Sequence, residues 1–126
     1  MHRTIKNLPA LPLERAIKVI AGRWKAVALY HLFSGPKRLS ELQRREPRAS
    51  QKVLIQQLRE LEAHGLVQRE IFREMPPRVE YSVTPLGRSL EPMLGSLCVW
   101  GIHHAAARNE TSELESCTTS DTFQAC

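Results

Sequence analysis

The side chains with the clearest chemical potential lie between residues 50 and 65. One side of a helix over this stretch would carry long hydrogen-bond donors: Gln51, Lys52, Gln56 and Arg59. Amide, ammonium and guanidinium groups of this reach can bond to base edges in a DNA major groove or to phosphate oxygens. Recognition of a nucleic-acid surface is therefore the chemistry that these residue types favour.

The other side of the same stretch is apolar. Leu54, Leu58 and Leu61 recur at i, i+4 and i+7, which is the spacing of one helical face. Ser50 stands where an N-cap residue would bond to a free backbone N–H, and Gly65 stands where a glycine would end the helix. The pattern predicts a helix between these two residues, anchored by its leucines and exposing its donors.

A shorter amphipathic segment, residues 39–45, precedes this helix and is halted by Pro47. Leu39 and Leu42 would face the core, and only residues 47–49 separate the two segments. A short helix, a tight turn and a longer helix in this order are typical of a helix-turn-helix motif.

Basic residues are concentrated around this motif. The net charge of the chain is +5, and its bases between residues 37 and 52 are Lys37, Arg38, Arg44, Arg45, Arg48 and Lys52, against Glu41 and Glu46. Such a cluster favours an acidic polymer such as nucleic acid, whose phosphates it would neutralise. An ordinary solvated surface is the alternative that the charge count leaves open.

Past Gly65 the apolar period changes from about 3.6 residues to about 2. Residues 66–73 and 78–84 alternate as strands do, and residues 74–77, E-M-P-P, would form a stiff tip between them. A hairpin directly after a helix-turn-helix predicts a wing. Its tip would bring Arg73 and Arg78 near the DNA backbone or minor groove.

Helical patterns flank this region on both sides. The first begins at Leu13 and is expected to divide at Ala21-Gly22, with the part over residues 24–33 central to the core. Thr84-Pro85 would start the last helix, which Pro92 either bends or marks as its first turn. The apolar band of this last helix is too wide for one small core, so we expect it to contact a second subunit.

The remaining features limit the domain organisation and the class of protein. We expect an N-terminal arm (residues 1–11), one domain (residues 12–106) and a disordered acidic tail (residues 107–126). No apolar run approaches the roughly 20 residues of a membrane span, and no secretory signal is present, so a cytoplasmic protein without membrane contact is expected. The cysteines lack the spacing of a zinc site, and no catalytic or cofactor motif appears, which predicts neither an enzyme nor a cofactor.

Several short segments together resemble the HxlR-type family of winged-helix transcriptional regulators, which is related to the MarR group. They are P-L-E at 12–14, I-A-G-R-W at 20–24, G-P-K-R-L-S-E-L at 35–42, L-R-E-L-E at 58–62, G-L-V-Q-R at 65–69, P-P-R-V-E-Y-S at 76–82 and T-P-L-G at 84–87. The resemblance implies a mainly α fold with a small antiparallel hairpin. It also implies a homodimer, held by its N- and C-terminal helices, on an operator of double-stranded DNA with two half-sites.

Site residues follow from the same resemblance, position by position. It implies that Ser50, Gln51, Lys52 and Gln56 face the groove. Lys37, Arg38, Arg44 and Arg48 resemble phosphate or support positions, and Arg78 resembles the wing contact. The function expected is sequence-specific regulation of transcription, as a repressor more than as an activator. The alternative is a winged-helix module that binds proteins and not DNA.

Cys98 raises the question of an effector. Several family members sense quinones, aldehydes or oxidants through a cysteine in a Cys-Pro dipeptide before the first helix, but here Leu11 precedes Pro12. That route of sensing is not expected. Cys98 could respond to an electrophile or oxidant as an exposed thiol, or it could be a small hydrophobic residue at the subunit contact; we favour the second. Cys117 and Cys126 fall in the predicted tail.

Overall fold

Helices form most of the described chain. The structure, a computed structural model, describes residues 8–114. Its elements in chain order are α1 (Pro12–Ile20), α2 (Lys25–Leu32), α3 (Leu39–Arg45), α4 (Gln51–Ala63), β1 (Val67–Phe72), β2 (Arg78–Val83), α5 (Pro85–Arg88) and α6 (Glu91–Ala107), followed by a 3-10 turn at Thr111–Glu113. The predicted winged helix-turn-helix, mainly α with one antiparallel hairpin, is confirmed.

The core lies where α2, α3 and α4 meet. Leu58 and Leu61 of α4 and Leu29 of α2 are fully buried, which confirms the leucine stripe and the central place of α2. An ion pair also joins these two helices, since Nζ of the buried Lys25 lies 2.6 Å from a carboxylate oxygen of the partly exposed Glu60. The inner side of α4 is therefore fixed by both apolar and ionic contacts.

Both predicted ends of α4 are present. The Ser50 hydroxyl accepts a hydrogen bond from the Val53 backbone N–H at 3.2 Å, as an N-cap residue does. Gly65 has a φ of +81°, the left-handed conformation that glycine adopts without a steric penalty. The break predicted at Ala21-Gly22 also occurs, between the end of α1 and the start of α2.

The wing is tied to the start of the helix-turn-helix. Strands β1 and β2 are antiparallel, with Arg69 opposite Tyr81 and Phe72 opposite Arg78. The backbone of Lys37 pairs with that of Tyr81 through two hydrogen bonds of 2.9 and 2.8 Å. Because Lys37 lies just before α3 and Tyr81 lies in β2, this bridge fixes the hairpin relative to α3.

The C-terminal helical segment is broken, and the prediction of one helix from Thr84 is corrected here. The short α5 ends at Arg88, and α6 begins at Glu91 with Pro92 in its first turn. Pro92 explains part of the break, because it has no backbone N–H to donate to the Arg88 carbonyl. Gly87 allows a close approach, because a Cβ at this residue would lie 2.1 Å from the Leu66 carbonyl oxygen. This close approach packs α5 against the start of the wing.

The segment predicted to be a disordered tail begins within the described chain. Its first residues complete α6 and form the 3-10 turn at Thr111–Glu113, which differs from the expectation at this point. Residues 1–7 of the predicted arm and residues 115–126 of the tail, with Cys117 and Cys126, lie outside the described residues. Between residues 8 and 114, no helix is long and apolar enough to cross a membrane.

Candidate DNA interface

The outer face of α4 presents its donors to solvent. Gln51, Lys52, Gln56 and Arg59 are all exposed. Within the described part of the chain, none of these side chains makes a hydrogen bond or an ion pair. Ser50 differs from them, because its hydroxyl already caps the helix. The predicted groove-facing residues Gln51, Lys52 and Gln56 therefore share one surface, and their donors are available to a ligand.

The turn between α3 and α4 is held by an acid–base pair. Arg48 donates to both carboxylate oxygens of Glu46, at 2.7 and 3.2 Å. The hydrogen bonding from Arg48 holds the pKa of the largely buried Glu46 carboxyl below its ordinary value. The Arg48 guanidinium also lies over the Trp24 ring, 5.4 Å from its centroid. Arg48 thus supports the turn, whether or not it also meets a phosphate.

Lys37 lies in the interior, in contrast to its neighbours. Only 7% of the residue is exposed, and its ammonium group donates to Ser34 Oγ and to the Gly35 carbonyl oxygen, both at 3.2 Å. Burial lowers the pKa of Lys37, and the charge of Arg45 adds to this effect. Arg38 and Arg44 are exposed, with no side-chain bond inside the described range. Of the two roles expected for Lys37, this geometry favours support.

The two predicted wing arginines have different surroundings. Arg73 is exposed and, among the described residues, its side chain makes no hydrogen bond or ion pair. Arg78 forms ion pairs with Glu74 and Glu80, each at 3.1 Å. Its guanidinium also lies 4.1 Å from the centroid of the Phe72 ring. Contact of either arginine with DNA stays a prediction, but Arg73 alone needs to give up no existing ion pair.

Two further exposed or partly exposed residues, one on the wing and one on α4, were not predicted as site residues. Arg69 of β1 is exposed, and its side chain has no bonded partner among residues 8–114. Its spacing of four residues from Arg73, on an alternating strand, was a signal that could have included it. Ile55 lies on the same surface as the donors of α4. Ile55 falls outside the leucine stripe, so the sequence could have predicted that it lies on the exposed face of α4.

Cys98 lies away from this surface. It is half-buried on α6 and lines an apolar cavity of about 280 Å³ between α2 and α6, together with Tyr30 and Leu94. Its sulfur is part of a disulfide. Among residues 8–114, no group of three or more His, Cys, Asp or Glu side chains is arranged to hold a metal ion.

Comparison with known proteins identifies the family. The family model described as HxlR-like helix-turn-helix matches residues 19–109. The chain belongs to this family. An HTH-type transcriptional regulator of Bacillus subtilis (strain 168), YkvN, is 53% identical over 98 residues, which cover 78% of this chain and 83% of YkvN. This HxlR-like chain is therefore a DNA-binding transcriptional regulator and not an enzyme.

Solved structures agree with the fold. The structure described as the redox regulator HypR in its reduced form is 43% identical and has a TM-score of 0.74, covering 78% of this chain and 97% of HypR. The HTH-type regulator YtcD is 48% identical, with a TM-score of 0.73 and coverage of 78% of this chain and 99% of its own. The winged helix-turn-helix of this HxlR-like chain is thus shared with other transcriptional regulators.

Proposed function

We propose that this chain is a homodimeric repressor that binds a specific operator, with one α4 helix in the major groove of each half-site. The observation that carries the proposal is the row of exposed donors on α4, from Gln51 to Arg59, which have no bonded partner within residues 8–114. A helix anchored by buried leucines on one side can present such donors in a fixed orientation. In a two-fold dimer the half-sites would lie about 10 bp apart, or a multiple of that distance.

Exposed apolar side chains on α1 and α6 support the homodimer. Leu13 and Ile17 of α1 are 67% and 54% exposed, and Leu97 and Trp100 of α6 are 50% and 63% exposed. A monomer gains nothing by leaving large side chains of this kind in water, whereas a second copy would bury them. Both helices belong to the flanking pair expected at the subunit contact.

Binding to the DNA upstream of the chain's own gene is the direct test. We expect a discrete gel-shift complex that survives an excess of unrelated duplex, and a footprint with two-fold symmetry. Transcription in vitro from the same DNA should fall as the protein is added, and a rise would make it an activator. Binding that unrelated DNA competes away at equal concentration would favour the alternative, a winged-helix module for protein contacts.

The dimer has its own test. Sedimentation of the full chain should give twice the mass of one subunit, and Ile17→Asp with Trp100→Asp should give the monomer mass and a large loss of operator affinity. Lys18→Asp, a charge change on the exposed surface of α1, is the matched control. A monomeric wild-type chain that still binds both half-sites would contradict this part of the proposal.

Response to an oxidant is a further part of the proposal, with Cys98 as the residue that carries it. Its sulfur is in a disulfide, it lies beside α2, and HypR is named a redox regulator. Operator affinity should differ between samples treated with a thiol reductant and with diamide, and Cys98→Ser should remove the difference. A Cys98→Ser variant that still responds would exclude this residue. A regulator of this kind acts where the chromosome lies, which would be the cytoplasm.

A further inference from the structure

The exposed face of α4 contains one branched apolar side chain among its donors. Ile55 shares a continuous surface with Gln51, Lys52 and Arg59. Its side chain is only partly buried. Lys52 lies three residues before it and Arg59 four residues after it, so their aliphatic stems lie beside it on the helix. An apolar patch is therefore enclosed by groups that are able to bond to DNA.

The core does not account for Ile55. It lies about 100° around the helix from the buried Leu54. Val53, on the other side of Leu54, packs against the core cluster, whereas Ile55 is not among the described residues that do so. A β-branched residue is also a poorer helix former than leucine or alanine, because its χ1 rotation is restricted. Neither packing nor helix formation thus explains an isoleucine at this position.

The chemistry of the major groove offers an explanation. Thymine, through its C5-methyl group, is the base that presents an apolar contact there, and short apolar side chains recognise it. Ile55 is in the N-terminal half of α4, and Gln51 lies one helical turn before it on the same surface. A glutamine amide can bond to adenine N6 and N7. The two side chains together match a step that contains an A·T pair.

We propose that Ile55 packs against the methyl group of one thymine in each half-site and helps to determine the operator sequence. This inference rests on the proposed function, since it requires α4 to enter the groove. It assigns part of the sequence specificity to a residue that bears neither a charge nor a hydrogen-bonding group. Salt dependence should therefore be unaffected by Ile55, because the contact releases no counterions.

The test removes the methyl group from the DNA. The full chain first selects its operator from a randomised duplex pool, and each thymine is then replaced in turn by deoxyuridine. We expect one symmetric position at which the replacement weakens binding by about fourfold per half-site, which corresponds to one buried methyl group. Ile55→Ala should lower the affinity for the thymine operator by a similar factor and bind the thymine and deoxyuridine duplexes equally.

Ile71→Ala is the matched control, because it removes the same atoms from an exposed isoleucine of the wing. This variant should keep the full thymine preference. Unfolding temperature and affinity for unrelated duplex report whether Ile55→Ala still folds and binds. An enriched operator whose thymine preferences persist in Ile55→Ala would overturn the inference and leave the proposed function intact. A pool with no enriched sequence would instead overturn the sequence-specific function, and the inference with it.

Discussion

The outer face of α4 differs in its bonding from three of the basic residues around it, Lys37, Arg48 and Arg78. Gln51, Lys52 and Gln56 are exposed, and their side chains have no bonded partner within residues 8–114. Arg48 and Arg78 also carry long hydrogen-bond donors, but both are bonded to glutamates of the turn and the wing. Hydrogen-bond donors are thus available to a ligand on α4, whereas those of Arg48 and Arg78 are used inside the protein.

This difference separates recognition from support. A donor that is bonded only to water exchanges that water for a base or phosphate, and the protein loses no internal contact. A guanidinium paired with a carboxylate must first give up that pair or share it. The number of basic residues around α4 therefore overestimates the number of phosphate contacts. We expect substitutions on α4 to change binding. Substitutions in the supporting region, which comprises Lys37, Arg48, Arg78 and the buried His31, should instead change stability.

The largest effect is expected on α4. Lys52→Ala combined with Gln56→Ala should weaken operator binding by at least about 100-fold, because each contact to a base edge contributes roughly 1–3 kcal/mol. Preference over unrelated duplex should fall as well, while the unfolding temperature stays close to that of the wild type. Fluorescence anisotropy with both duplexes measures the first two quantities.

Lys18→Ala is the control for the loss of a lysine, since Lys18 is exposed on α1, outside the helix-turn-helix. It should leave operator affinity nearly unchanged. An unaltered affinity and selectivity in the double variant would show that α4 does not read the operator. The distinction between recognition by α4 and support by the bonded residues would then be wrong.

A second experiment compares two basic residues that are close in sequence, Arg44 and Lys37. Arg44→Gln should reduce the slope of log affinity against log salt by about 0.9 for each subunit, as expected for one lost phosphate contact. Lys37→Gln should leave the slope unchanged, because the buried ammonium group is bonded to Ser34 and Gly35. It should instead lower the free energy of unfolding by about 1 kcal/mol. Equal changes of slope would place both residues at the phosphates.

The wing allows the same comparison on a smaller scale. Arg73→Ala should weaken binding several-fold and lower the salt slope, with little change in unfolding temperature. Arg78→Ala should mainly destabilise the wing, by about 1 kcal/mol, because it loses a cation–π contact and two ion pairs. A lower salt slope for Arg78→Ala would mean that this arginine exchanges its glutamates for phosphate in the complex.

Local sequence patterns predicted the elements of the fold better than the partners of its charges. The Ser50 cap, the Gly65 helix end and the leucine stripe depend on spacing within one segment, and all were predicted. The burial of Lys37 depends on its backbone bridge to Tyr81, far away in the chain, and no local pattern contains that pairing. The close packing of α5 likewise depends on the approach of Gly87 to Leu66.

Arg78 is an intermediate case. Residues i and i+2 of a strand share a face, so the Arg78–Glu80 pair could have been expected from the alternation alone. The pair with Glu74 could not, because it depends on how the hairpin tip folds back. The sequence thus shows which basic residues lie on a surface. Whether they are available to bind DNA depends on their ion pairs, which only the tertiary structure shows.

The smallest effect expected is a pH dependence of the supporting region. His31 is buried, and its Nδ1 has no hydrogen-bond partner among the described residues. Burial lowers its pKa from the ordinary value of 6.5, and the charges of Arg45 and Lys37 lower it further, while Glu46 acts in the opposite direction. Below pH 6.5 the unfolded chain therefore binds more protons at this residue than the folded chain does.

The stability that neutral His31 contributes is complete above its unfolded pKa and is lost as the pH falls below it. The unfolding temperature should therefore decrease from pH 7 to pH 5, and His31→Gln should reduce this decrease. His103→Gln, at an exposed position of α6, is the control and should keep the decrease of the wild type. His64 contributes in the same direction, because burial and Lys25 lower its pKa, so part of the decrease should remain in His31→Gln. If the unfolding temperature decreased equally in His31→Gln and in the wild type, protonation of His31 would not contribute to the loss of stability in acid.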